Sequence, residues 1–222
     1  TVSINADLFE EVSEKNGSTV IDYYKKESDK KTTSATLDQD AKLIYNGKAE
    51  EMSQELLNMK DKSGNVSLLD TDRNGKYDIV FVTEYQNMVV EEVTQSNKIV
   101  DKYNAPTLKL DDEDEDLIFS ITRGFEELTV QDLKEYDVLS VAASKDGRYY
   151  EILVSNNTVE GKVTGSGEDG IYIGGNAYKI ADNYPNDITI GTEGVFYLDS
   201  QGKIAAVNTK STLSNNYAYL LK

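Results

Sequence analysis

Residues 66–85 constrain this chain more than any other stretch. Two apolar runs, residues 66–69 and 77–85, stand on either side of an acidic loop, a pattern that a pair of strands satisfies and a helix does not. In the loop, Asp70, Asp72, Asn74 and Asp78 occupy positions 1, 3, 5 and 9, with Gly75 at position 6. That spacing wraps oxygen ligands around a hard cation such as Ca2+. The expected ligand set is Asp70, Asp72, Asn74 and Asp78 through their side chains and Lys76 through its backbone carbonyl. Calcium takes about six to eight oxygens, so five protein ligands leave room for water. An EF-hand places a glutamate at position 12, where this chain has Phe81 inside an apolar run. Any site is therefore a shorter loop. The alternative is a β-hairpin turning at Asn74-Gly75, its aspartates solvated or capping the turn. Three carboxylates on one loop repel without a cation, although Arg73 and Lys76 offset part of that charge.

Strand patterns dominate the rest of the chain. Residues 19–24 and 41–45 read as strands, and Asn46-Gly47 as a turn. Residues 48–59 contain helix formers, so a short helix is expected there, broken at Ser63-Gly64-Asn65. Residues 77–85 read as a long strand turning at Gln86-Asn87 into residues 88–93. Strands are further expected at 99–100, 108–110 and 117–122, with a capped helical turn starting at Thr129. Residues 137–143 and 148–155 read as a hairpin around Lys145-Asp146-Gly147. Beyond it come strands at 158–164, 171–173, 177–180, 187–190, 194–198 and 203–207, with residues 165–170 as a flexible connection. The fold class is mostly β: two or more small β-barrel or β-sandwich-like units with at most short helices. Residues 158–182 fit a small closed barrel better than a sandwich. The expected division is 1–64, a β-rich segment with a short helix; 65–136, a β domain with the acidic loop; and 137–222, a small barrel-like domain.

Composition removes several functions. The chain contains no histidine and no cysteine. Ser-His-Asp and Cys-His catalysis, disulfides and cysteine-based zinc sites are thereby excluded. With 23 basic and 40 acidic residues the net charge is -17, which repels nucleic-acid backbones and anionic lipid. No run of about eighteen apolar residues is present, so no membrane insertion is expected. The chain begins at Thr1 without a basic and apolar leader, so no signal peptide is expected in it; a threonine start is what a trimmed chain would show.

Several segments, in order, carry a resemblance. After the acidic loop and its strands come Asp132-Leu133-Lys134-Glu135-Tyr136-Asp137-Val138-Leu139-Ser140-Val141 and Val154-Ser155-Asn156-Asn157-Thr158-Val159-Glu160-Gly161-Lys162-Val163. Gly175-Asn176-Ala177-Tyr178-Lys179-Ile180 and Phe196-Tyr197-Leu198-Asp199-Ser200-Gln201-Gly202-Lys203-Ile204 follow. Together these resemble the ectodomains of Firmicutes cell-surface proteins, which typically carry S-layer homology domains elsewhere in the chain. The likeness covers residues 64–207, with the N-terminal third only loosely included. It implies an extracellular, cell-surface setting and no established catalysis, and it supplies no ligand. No S-layer homology domain is recognisable here, so wall anchoring is implied only for a longer parent.

The remaining candidates each have two readings. The run Asp111-Asp112-Glu113-Asp114-Glu115-Asp116 is either a diffuse cation sponge or a solvated surface loop. Tyr23, Tyr24, Tyr77, Tyr85, Tyr149, Tyr150, Tyr172, Tyr178, Tyr184, Tyr197, Tyr217 and Tyr219 include candidates for a sugar-stacking face, or else they pack against cross-strand neighbours. Glu126, Glu127 and Glu151 show no pairing that marks a catalytic acid and base. The expected function is a non-catalytic structural or assembly module of an exported surface protein, stiffened by calcium. The alternatives are a binding module for cell-wall polysaccharide or another surface protein, and a carboxylate-only hydrolase with a deep cleft.

Overall fold

The computed structural model describes residues 1–209, so Tyr217 and Tyr219 lie outside the described residues. The chain is mostly β, built on a 13-stranded and a 5-stranded sheet. The first core gathers β1 (Val2–Asn5), β2 (Phe9–Lys15), β3 (Ser18–Tyr23), β4 (Thr33–Tyr45), β5 (Lys48–Glu50), α1 (Gln54–Leu57) and β6 (Ser63–Leu69). It also takes the first half of β7 (Tyr77–Val93), burying Val80 and Val82 beside Ile21, Leu37, Val66 and Leu68. The second core takes the other half of β7, burying Met88 and Val90. Its other strands are β8 (Lys98–Asp101), β9 (Leu108–Lys109), β10 (Ile118–Arg123), β11 (Glu126–Glu127), β12 (Val138–Ala143) and β13 (Tyr149–Ser155).

The long strand β7 overturns the turn expected at Gln86-Asn87. Those residues pair with Val141 and Ser140 of β12, so the strand runs straight from one core into the other. The energetic reason is the four buried side chains on one face. Each contributes about 1.5–3 kcal/mol when buried, against a strand propensity scale that spans only about 1 kcal/mol.

The third unit is the five-stranded sheet, in the order β16 (Asn176–Tyr178), β15 (Gly170–Ile173), β14 (Thr158–Gly167), β17 (Glu193–Leu198) and β18 (Ile204–Thr209). It does not close into the expected barrel. One isolated parallel bridge, Ile180 to Ile204, brings the chain beyond β16 alongside β18. The segment expected to be a flexible connection is instead a hairpin: β14 runs to Gly167 and β15 begins at Gly170. Residues 187–190 form no strand; Ile188 packs on the third core from irregular chain.

Other differences lie in the N-terminal third. The helix expected over 48–59 shrinks to Gln54–Leu57, because residues 48–50 pair with β4. The Asn46-Gly47 turn is present, both residues having positive φ (43° and 77°), the conformation a two-residue hairpin loop requires. Ser63-Gly64-Asn65, expected to break the helix, lies beyond its end and opens β6. Gly64 has φ 135° and sits so close to β7 that a Cβ there would meet the Thr83 carbonyl oxygen at 1.9 Å.

The third unit docks on the other two through a seam with an apolar and a polar part. Ala205 and Ala206 bury against Val89 and Val138. The rings of Tyr136 and Tyr197 stack at 4.5 Å, and those of Tyr103 and Tyr184 meet edge to face at 5.4 Å. On the polar side, Asn87 Nδ2 donates to Asp199 (2.8 Å), Ser200 to Ser140 (2.8 Å) and Gln201 Nε2 to the Gly64 carbonyl (3.2 Å). No helix among the described residues is long and apolar enough to cross a membrane.

Candidate metal centre

The acidic loop is not the tight Asn-Gly hairpin. β6 and β7 pair up to Leu69 with Ile79, which leaves residues 70–76 as a seven-residue connection. The positive φ values fall at Arg73 (62°) and Gly75 (89°), and Asn74 stays outside that region. The connection is then folded by its own side chains. Asp70 Oδ2 accepts from the Gly75 N–H (3.1 Å), Asp72 Oδ1 from the Asn74 N–H (3.1 Å) and Asn74 Oδ1 from the Lys76 N–H (2.7 Å). Asp78, at the start of β7, reaches back to accept from Thr71 through both its N–H (3.0 Å) and its hydroxyl (2.6 Å).

These bonds draw three carboxylates together. Asp70, Asp72 and Asp78 each offer an oxygen within 4.8 Å of the other two, a separation one ion could bridge. Two oxygens are left over. Asp70 Oδ1 and Asp78 Oδ1 are shielded from solvent and have no hydrogen-bond donor among the described residues. A buried carboxylate oxygen without a donor is costly, and a cation is the simplest partner for two of them at once.

Asn74 and Lys76 also belong to the hydrogen-bond network of the loop. Asn74 lies beside Asp72, but it turns its Nδ2 toward the acids, donating to Asp72 Oδ2 and to Asp38 Oδ2, both at 3.0 Å. Its Oδ1 is engaged by the Lys76 N–H. The amide thus bridges the Asp72 and Asp38 carboxylates.

Asp38 is the participant that the sequence reading misses. It sits on β4, where the pairing with β7 jumps from Leu37–Tyr77 to Lys42–Ile79, so residues 38–41 bulge toward the loop. The bond from Asn74 holds the Asp38 carboxyl below its ordinary value, and the bond from the Thr71 hydroxyl does the same for Asp78. Both are therefore ionised across the neutral range and available to a cation. The one sequence signal is Asp38-Gln39-Asp40, a polar interruption in a strand.

The other candidates do not converge. In the 111–116 run, Asp111 pairs with Lys109 (2.7 Å) and Asp114 with Arg148 (3.3 Å). Their second oxygens accept from the backbone N–H groups of Glu113 and Asp116. That is a self-capped surface loop. Glu126 and Glu127 are exposed on β11, and Glu151 receives the Tyr85 hydroxyl at 3.5 Å. Burial pushes the Tyr85 phenol up to about 12, with the Glu151 charge adding to it. The described tyrosines scatter over all three units rather than forming one face.

No protein-family model, no curated protein and no solved structure matches this chain.

Proposed function

We propose that this chain is a non-catalytic structural module, a stiff spacer or assembly element of an exported bacterial surface protein, stabilised by a cation at the 70–78 loop. The observation that carries the reading is β7. One 17-residue strand is shared by two cores, and the acidic loop stands at its head. A strand common to two cores couples them, so neither bends without the other. A cation held by Asp70, Asp72 and Asp78 would fasten the start of that strand to the end of β6. Calcium is the ion this donor set favours, being all oxygen and mostly carboxylate. The absence of histidine and cysteine supports a role without catalysis. The surface setting rests on the resemblance to S-layer-associated ectodomains.

The test is thermal unfolding of the chelator-treated protein across a calcium titration, beside Asp72→Ala. The expected result is a melting temperature that climbs with calcium in the wild type alone. A flat response in both proteins would reduce the loop to a connection. Hydrolysis of a wall glycan or peptide, lost on mutating one carboxylate, would overturn the non-catalytic role.

A second reading, a module that binds polysaccharide or another surface protein, is favoured by a pocket on the same strand.

A further inference from the structure

Strand β7 breaks its own apolar pattern at its centre. Successive side chains on a strand alternate between faces, so residues 80, 82, 84, 86, 88 and 90 share one face. Val80 and Val82 enter the first core, while Met88 and Val90 enter the second. Between them stand Glu84 and Gln86. They line a pocket of about 300 Å³ where the two cores meet, the lower end of the range for small-ligand sites.

The pocket combines two kinds of wall. Tyr45 reaches it from the edge of the first core and Tyr150 from the edge of the second, and Pro106 and Thr107 line it from the loop between β8 and β9. Glu84 Oε2 receives the Lys62 ammonium at 2.7 Å and the Tyr45 hydroxyl at 3.0 Å. Burial raises the Tyr45 phenol, and the Glu84 charge raises it further, so it stays protonated and donating. Lys62 leaves the carboxylate balanced. Gln86 is exposed, and its amide makes no hydrogen bond among the described residues. The backbone beneath is fixed: Asn46 is buried, donates to the Glu84 and Ala143 carbonyls (3.2 and 2.8 Å) and accepts from the Glu84 N–H (2.9 Å).

Apolar ring surface beside a planar amide and a neutralised carboxylate suits a molecule with one C–H face and an edge of hydroxyls. We infer that this pocket binds a neutral saccharide of one or two pyranose rings. The sugar's C–H face lies against the tyrosine and proline surfaces, and its hydroxyls meet the Gln86 amide and Glu84. A net charge of -17 disfavours an anionic sugar. The inference rests on the second functional reading and is independent of the cation loop.

The test uses the whole chain, isotope-labelled, titrated in NMR with methyl glucoside, methyl N-acetylglucosaminide, cellobiose and chitobiose, with glucuronate as the anionic comparator. The expected result is saturable shifts at residues 84–88, 105–108, 141–143 and 150 for at least one neutral sugar, with glucuronate weaker. Gln86→Ala should weaken that binding about tenfold, the scale of one lost hydrogen bond, without moving the melting temperature. Tyr150→Phe keeps the ring and should cost less. Shifts at other residues that Gln86→Ala leaves unchanged would overturn the pocket while keeping a saccharide-binding module. Equal or tighter glucuronate binding would overturn the neutral class, and no shifts with any sugar would overturn both.

Discussion

Asp199 in the seam and the carboxylates of the 70–78 loop handle negative charge in opposite ways. Asp199 is almost fully buried, and every oxygen has a donor. Oδ1 accepts from the Gln201 and Lys203 N–H groups (2.9 and 2.8 Å) and Oδ2 from Asn87 (2.8 Å). The loop is far more exposed, yet two of its oxygens have been closed off with no donor among the described residues. Acid density therefore does not mark an ion site, since the 111–116 run has the highest density and satisfies itself. What sets the loop apart is that its enclosed oxygens without donors belong to carboxylates. Asp199 is satisfied as built, whereas Asp70 and Asp78 each keep one enclosed oxygen without a donor among the described residues; the undonated oxygens of the seam, Gln201 Oε1 and Asn183 Oδ1, belong to neutral amides.

The sharpest way to break that contrast is Asp199→Ala. It strips three donors of their acceptor in a buried seam, at a cost of about 3 kcal/mol. At about 2–4 °C per kcal/mol for a chain of this size, the melting temperature should fall by roughly 6–12 °C. The deficit should be the same with and without calcium, because Asp199 is not part of the loop. A deficit that calcium repairs would mean that the two regions are coupled.

The loop should behave in the reverse manner. Saturation with calcium at a hundredfold over its Kd stabilises by about 2.7 kcal/mol, and Asp70→Asn or Asp78→Asn should abolish the gain. Asp38→Asn is the finer probe. Asp38 touches Asn74 rather than the three-acid cluster, so it acts by orienting the loop and by adding charge. Supporting residues of this kind typically change metal affinity by about 10–100-fold. Asp38→Asn should weaken calcium about tenfold in calorimetry and leave the calcium-free melting temperature nearly unchanged. An unaltered affinity would confine the site to residues 70–78.

The two regions also differ in how far they can be read from sequence. Asp70, Asp72 and Asp78 are legible because the loop is local: spacing alone brings them together, and Gly75 permits the bend. Asp38 is not, because its place depends on a bulge in β4 and on parallel pairing between strands far apart in the chain. Nothing near Asp199 in sequence announces Asn87 or Ser140, which tertiary packing supplies. The same holds for the strands. The hairpin of β12 and β13 is evident from two apolar runs on either side of the Asp146-Gly147 turn. β2, with Glu10, Glu11 and Glu14 on an edge, and the Thr-, Ser- and Asp-rich start of β4 lack enough apolar residues to show. Gln86-Asn87 reads as a turn from residue type alone, and pairing with β12 together with the two flanking cores holds it extended.

Acidification separates the regions by sign. Burial holds the Asp199 carboxyl above the ordinary aspartate value of 3.8, outweighing the bonds that lower it. Above its folded pKa, both folded and unfolded chains carry the charge, and the fold bears the cost of burying it. As pH falls through that pKa the folded chain takes up a proton that the unfolded chain does not, so this group's contribution rises toward 3.8. Asp111 runs the other way. Lys109 holds its carboxyl below 3.8, and its contribution is lost as pH falls through the lowered value. Urea midpoints of the wild type minus Asp199→Asn should therefore shift in favour of the wild type between neutral pH and about pH 4. A difference that stays flat would mean that the Asp199 carboxyl is held near its ordinary value.

The smallest effect belongs to the 111–116 run, and its smallness matters. Asp112, Glu113 and Glu115 point into solvent between capped turns, with one long contact from Asn97 to Asp112 at 3.4 Å. Replacing all three with their amides removes three charges from an already acidic surface. It should move the melting temperature by no more than about 2 °C and leave the calcium titration unchanged. If calcium affinity fell with it, long-range attraction by acid density would be setting the binding, and the distinction between enclosed and merely abundant carboxylates would collapse. Repeating the titration in 0.5 M salt separates these cases, because the Debye length there is only about 4 Å and the distant run is screened while the enclosed oxygens of Asp70 and Asp78 are not.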